Sequence, residues 1–181
     1  MKNTHGYVRR LCAATLVPLL TLALMIQACT QAGPDRELEL ETIERMEATA
    51  RVMMNEEGRT DASLQQTAAL RDAYLSFADN FPGDSLSAVF LFQAAMVDAD
   101  LHDDVRGGIV FLERLAEEYP DHDLAARTLF LIGFTYAEQL NDYARAREAY
   151  ARYLERYPNG EMAESIRIEL QSLGMQPSLG S

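Results

Sequence analysis

The stretch Glu155-Arg156-Tyr157-Pro158-Asn159-Gly160 ends an amphipathic run with an aromatic residue set directly against a proline. Proline disfavours the helical conformation in the residue before it, so a helix that reaches Tyr157 has to stop there. The same pair recurs 38 residues upstream as Tyr119-Pro120-Asp121, and 38 residues before that as Phe81-Pro82-Gly83. Spacing this regular marks a chain built from stacked repeats.

Laid on itself at that period, the chain aligns Tyr74 with Leu112 and Tyr150, Phe77 with Leu115 and Tyr153, and Phe81 with Tyr119 and Tyr157. Leu86, Leu124 and Met162 coincide, as do Leu91 with Leu129, Phe92 with Phe130 and Asp104 with Asp142. In the last unit, Leu124 to Leu140 and Tyr143 to Tyr157 carry apolar residues at three- and four-residue intervals, and Asn141-Asp142 between them is a turn and cap signal. Each unit is therefore a helical hairpin. Gly83, Asp121 and Asn159, next after the prolines, are expected to cap the helix that follows. In the fainter first unit, Glu37 to Glu56 supplies the first helix and Gly58-Arg59-Thr60 the turn. Leu40, Ile43, Ala50 and Met53 along one side of that helix suit packing on the next hairpin better than a short coiled coil. With a last helix over Glu161 to Leu173, about seven helices are expected in an all-α domain spanning 36–173, ahead of a flexible tail, 174–181.

Gly133, Tyr136, Ala146, Tyr150 and Pro158 resemble the tetratricopeptide signature of small, aromatic and proline positions, with Tyr143 at the aromatic position that opens the second helix. Pro82 and Pro120 repeat the last of these. The spacing from Gly133 to Ala146 is one residue longer than in the common motif, and the unit is longer than the usual 34. Elongated units ending in Tyr-Pro are similar to those of bacterial outer-membrane lipoproteins of the Bam-subunit and Tol-Pal coordinator types, and three units suit the second type better. The resemblance covers about residues 60–173. It implies a right-handed superhelical stack of about three hairpins, closed by a C-terminal capping helix, in a scaffold that binds an envelope protein. In the middle unit Ala95, Asp98 and Gly108 take the places of Gly133, Tyr136 and Ala146. An aromatic is lost, so looser packing is expected there, and Gly107-Gly108 fits a hairpin whose helices approach closely.

Ahead of the repeats, Lys2, Arg9 and Arg10 precede the apolar run Leu11 to Ile26. That run is short, contains Pro18, and suits an export signal better than a membrane span. Ile26-Gln27-Ala28-Cys29 resembles the lipobox of bacterial lipoproteins, which implies removal of a signal peptide, 1–28, and acylation of Cys29, with 29–35 as a short tether. Ordinary secretory cleavage near Ala28 is the plainer alternative. In the family resembled, Thr30 after the cysteine implies the outer membrane, with the domain facing the periplasm. Thr30 to Pro34 span at most ~18 Å, and Asp35, Glu37, Glu39 and Glu41 would be pushed outward by an anionic surface.

Of 16 basic and 28 acidic residues, only the three cations of the leader would be lost on cleavage, leaving 13 against 28 and a net charge of −15. Such a field repels nucleic acid and anionic lipid, so neither is expected as a partner. Cys12 lies in the leader, which leaves Cys29 as the one thiol and no cysteine for a disulfide or a metal. His102 and His122 stand among acids without any ligand motif, and acids bordering hairpin turns serve as caps, so no metal site is expected. Gly107-Gly108 lacks the strand and lysine of a phosphate loop, and no serine is framed as Gly-x-Ser-x-Gly. No enzyme, cofactor or small-molecule substrate is expected, and what remains is a binding surface.

In tetratricopeptide stacks the first helix of each hairpin lines a concave groove. Carried onto this chain, the groove positions are Val89, Phe92, Met96 and Asp100 in the middle unit and Arg127, Phe130, Phe134 and Glu138 in the third. Leu86 to Val97 is apolar nearly all round, so the same side chains also suit a buried helix. A competing reading, a module for peptidoglycan or an exported polysaccharide, would use the aromatic set Tyr74, Tyr136, Tyr143, Tyr150 and Tyr153, all of which stand at repeat positions instead. Cys29→Ala is expected to leave the chain unprocessed and to abolish its detergent partitioning, read by mobility and phase separation in an expressing bacterium; unchanged size and partitioning contradict lipid attachment.

Overall fold

A computed structural model describes residues 33–175. The expected signal peptide 1–28, Cys29, the expected tether as far as 32 and the expected tail from 176 lie outside the described residues. Seven helices follow one another: α1 (Arg36–Glu57), α2 (Asp61–Asn80), α3 (Ser85–Leu101), α4 (Val105–Glu118), α5 (Leu124–Glu138), α6 (Tyr143–Arg156) and α7 (Ala163–Met175). No strand occurs among the described residues. Each helix packs on the next, and the first helices of the second and third hairpins, α3 and α5, also touch. The fold is the all-α stack of three hairpins and a final helix expected from the 38-residue period, with α7 running past the expected boundary at 173.

The period is visible in the core. Tyr74, Leu112 and Tyr150 are all buried, and so are Phe77, Leu115 and Tyr153. Leu91 and Leu129 point inward while Phe92 and Phe130, one residue on, stay half-exposed. Three apolar clusters succeed one another along the stack, centred on Phe77 and Phe90, on Leu91 and Leu115, and on Leu129, Tyr150 and Ile166. Each buried leucine contributes roughly 1.5–3 kcal/mol by leaving water.

The aromatic-proline corners are three copies of one object. Phe81, Tyr119 and Tyr157 have φ/ψ of −130/60, −126/53 and −127/61, and each donates its amide to the residue four back. Beyond the proline, the amides of Asp84, His122 and Gly160 bond the carbonyls of those same aromatics at 3.0, 3.1 and 3.0 Å. Because this turn has to close across the proline before a helix begins, the capping group is not Gly83, Asp121 or Asn159, the residues expected to cap: it comes from one residue later at the first two corners and from the preceding helix at the third. The equivalent amides of Leu86, Leu124 and Met162 are then satisfied by three different chemistries. Asp84 Oδ1 accepts at 3.0 Å, His122 Nδ1 at 3.2 Å, and the Tyr153 hydroxyl, reaching from the preceding helix, at 3.1 Å. A β-carbon at Gly160 would collide with that hydroxyl, so a residue without a side chain stands where the other corners carry their capping group.

The turns inside the hairpins repeat as well. Asp103 and Asn141 adopt positive φ, 54° and 52°, a region that asparagine and aspartate tolerate best after glycine. The following Asp104 and Asp142 cap their helices by accepting from Gly107 and Arg145 amides at 2.8 and 3.1 Å. In the first unit Gly58 takes the positive φ and Thr60 forms a capping box with Ser63. Between units, Arg114 pairs with Asp79 and, 38 residues later, Arg152 with Glu113, each at 2.7 Å. The Tyr157 hydroxyl donates to the Pro120 carbonyl at 2.8 Å, which ties one corner to the next.

At the front of the stack, Arg36 of α1 binds Asp84 of the first corner. The guanidinium, with the Leu86 amide behind it, holds the Asp84 carboxyl below its ordinary range. A group whose folded value is depressed adds stability above the unfolded value and loses it as pH falls through the folded one. Asp84→Ala should therefore lower stability by about 1 kcal/mol near neutrality. The deficit should shrink on acidification from about pH 7 to about pH 3, measured by thermal unfolding of wild type and variant across that range.

Candidate functional site

Val89, Phe92 and Met96 on α3 and Arg127, Phe130 and Phe134 on α5 lie neither wholly in the core nor wholly free of it. Val89, Phe92, Met96 and Phe130 are half-buried, and Phe134 is 42% exposed. The Arg127 guanidinium, itself exposed, lies over the Phe92 ring at 5.4 Å from its centre and joins the two helices across the stack. Phe130 and Phe134 stack along α5 with ring centres 6.1 Å apart. Asp100 and Glu138, the last of the carried-over positions, are exposed. The structure thus brings the eight positions together as one surface strip whose inner edges rest on the core.

What holds the strip outward is the contact behind it. Gly133, fully buried on the inner side of α5, lies directly against the ring of Tyr150 on α6, so close that a β-carbon there would overlap it. Tyr150 in turn stacks with Phe130 at 6.2 Å and supports it from behind. Burial, with Glu169 and Glu138 nearby, pushes the Tyr150 phenol up to about 12. Among the other signature residues, Ala146 is fully buried in the same hairpin, and Tyr136 lies half-buried under the Arg145 guanidinium at 5.7 Å. Pro82 and Pro158 are exposed and Pro120 half-buried, as residues at surface corners should be.

The middle hairpin solves the same problem differently. A β-carbon at Gly108 would come within 2.8 Å of the Ala95 carbonyl oxygen, so here the backbones of α3 and α4 themselves approach. Asp98, in the place of Tyr136, is 3% exposed and binds Arg71 of α2 at 2.7 Å. The looser packing expected from the lost ring takes a limited form: Asp98 is held by an ion pair, and a cleft of about 80 Å3 remains nearby between α3, α4 and α5.

Other candidates have structural occupations. His122 caps α5, and His102 Nε2 lies 3.3 Å from the Thr67 hydroxyl. Among the described residues no group of three or more His, Cys, Asp or Glu is arranged to hold a metal, and no helix is long and apolar enough to cross a membrane. Of the five tyrosines that a sugar site would use, Tyr74, Tyr150 and Tyr153 are buried and present no open face.

One groove residue escaped the sequence reading. Ile168 on α7 is 59% exposed and stands 38 residues after Phe130, at the repeat position that Phe92 and Phe130 occupy. Two positions that are buried on α3 and α5 do not follow suit on α7, although Ala163, Ile166 and Leu173 remain buried there. Arg167 replaces the buried Leu91 and Leu129, and Gln171 replaces Ala95 and Gly133, both on the solvent side.

Residues 127–160 match the family described as Tetratricopeptide repeat. The matched segment takes in the third hairpin from Arg127, one turn into its first helix, to the corner at Gly160, and with it Phe130, Phe134 and the Gly133–Tyr150 contact. Comparison with curated proteins and with solved structures finds no match for the chain. Proteins built of such repeats are in general protein-binding scaffolds rather than enzymes. Gly133→Ala should destabilise the domain by about 1–3 kcal/mol, because the fully enclosed Tyr150 ring has nowhere to retreat. Urea unfolding measures this, and the same variant should quench less of its change when Tyr150 is also shortened to leucine.

Proposed function

We propose that this chain is a lipid-anchored scaffold on the periplasmic face of the bacterial outer membrane, where it holds another envelope protein against the strip formed by α3 and α5. The observation that carries this reading is the row of large apolar side chains, half-buried Phe92 and Phe130 and exposed Phe134, which rests on the core and still presents apolar surface to solvent. A surface of this kind on a repeat protein suits a helix or extended segment of a partner. Cys29, in its lipobox-like setting, supports the anchor, and the resemblance to Bam-type and Tol-Pal coordinator lipoproteins supports a role in outer-membrane protein assembly or in coordinating envelope constriction.

Site-specific photocrosslinking in cells tests the location of binding. A crosslinker placed at Phe134 should yield a discrete adduct, and one at Val110, 62% exposed on α4, should not. Phe134→Ser should remove the adduct formed from a crosslinker at Phe130 while moving the melting temperature little, since the ring is not enclosed. Equal adducts from Val110, or binding that survives Phe134→Ser, contradict the reading.

A further inference from the structure

The strip has two chemically different edges. Arg127 stands at one, already engaged with the Phe92 ring, and Asp100 and Glu138 stand at the other, four residues beyond Met96 and Phe134 on their helices. Both acids are exposed, and among the described residues neither carboxylate forms an ion pair; the Arg59 guanidinium beside Asp100 donates to its backbone carbonyl at 3.0 Å. Beside Asp100, the cleft of about 80 Å3 is lined by Met96, Ala99, Leu131, Thr135 and Gln139, an apolar throat with a carboxylate at its rim. That combination accommodates the aliphatic stem of a long cationic side chain with its head in solvent at the acid. The surrounding field has the same sign, since all 28 acids and only 13 arginines lie within residues 33–175.

Ile168 supplies a second, independent indication. A helix that closes a stack gains nothing for its own packing from a large apolar residue turned outward; α7 packs through Ala163, Ile166 and Leu173 and carries Arg167 and Gln171 at two positions that are buried on α3 and α5. It keeps the residue in register with Phe92 and Phe130 all the same. The repeat position that carries the row on α3 and α5 is therefore apolar on α7 as well, and exposed there.

Resting on the groove reading above, we propose that the occupant is a cationic amphipathic segment of another protein. Its apolar side chains cover Phe92, Phe130, Phe134 and Ile168, and lysine or arginine along one edge pairs with Asp100 and Glu138. The cleft beside Asp100 receives one of these side chains. Complementary charge at the edge fixes orientation and speeds encounter, while the apolar row supplies the contact area.

The test is selection of a random peptide library displayed on phage against the full chain, followed by affinity measurement of the enriched peptides on variants. Peptides that combine apolar residues with lysine or arginine are expected. They should weaken by about tenfold or more on Asp100→Asn/Glu138→Gln, and again on Phe134→Ser/Ile168→Ser, with added salt acting mainly on the first effect. All four substitutions fall on exposed side chains, and unchanged circular dichroism and melting verify that each variant is folded. Neutral or acidic peptides that still require Phe134 and Ile168 overturn the cationic partner and leave the groove standing. Peptides indifferent to Phe134 and Ile168 overturn the groove itself, and a library that enriches nothing above bare matrix overturns the proposal too.

Discussion

Everything in this stack follows from how closely the two helices of a hairpin can approach, and that distance is set where a side chain is missing. In the third hairpin a ring from the second helix lies on the bare backbone of Gly133 in the first. In the second hairpin the roles reverse, and Gly108 of the second helix meets the Ala95 carbonyl of the first. Close approach on the inner side turns the opposite face of each first helix outward. Phe130 is then both a core residue, stacked on Tyr150, and a surface residue beside Phe134. Interior packing and the candidate binding face are two sides of one contact.

Units are joined by small polar devices rather than by a single large interface. The Arg114–Asp79 and Arg152–Glu113 pairs recur at or near the repeat period, and the Tyr157–Pro120 bond adds a tie between the second and third corners. The corner amides at Leu86, Leu124 and Met162 show how loosely chemistry is constrained when geometry is fixed. A carboxylate, an imidazole and a phenol serve the same N–H, and at Gly160 the third solution depends on absent bulk. A repeat can diverge at such a position without changing its path, because the constraint is an acceptor at about 3 Å and not a residue type.

Much of this architecture was legible because it is periodic. Proline after an aromatic fixes where a helix ends, and three such marks fixed the hairpin boundaries to within a residue or two. The capping groups lie one residue beyond the expected positions at the first two corners, because the backbone first closes a turn across the proline, and at the third the cap comes from Tyr153, which no local pattern announces. Asp98 could not be assigned a partner from sequence, since Arg71 comes from the preceding hairpin and lies off the repeat register. Nor could the pattern decide between core and surface for Phe92 and Phe130: a residue resting on the core with its outer edge in solvent gives the same apolar signature as either extreme. Ile168 was readable in principle, by carrying the period one step past the last proline.

The exchange of leucine and glycine for Arg167 and Gln171 on α7 also bears on how large an assembly this chain can join. A repeat stack is open by nature, since the face that accepts one hairpin could accept another, from the same chain or from a second molecule. Here the terminal layer presents a guanidinium and a primary amide where a neighbour would need bare backbone and a leucine. Adding a layer on those side chains would strip water from both without replacing it, which disfavours end-to-end addition at this face.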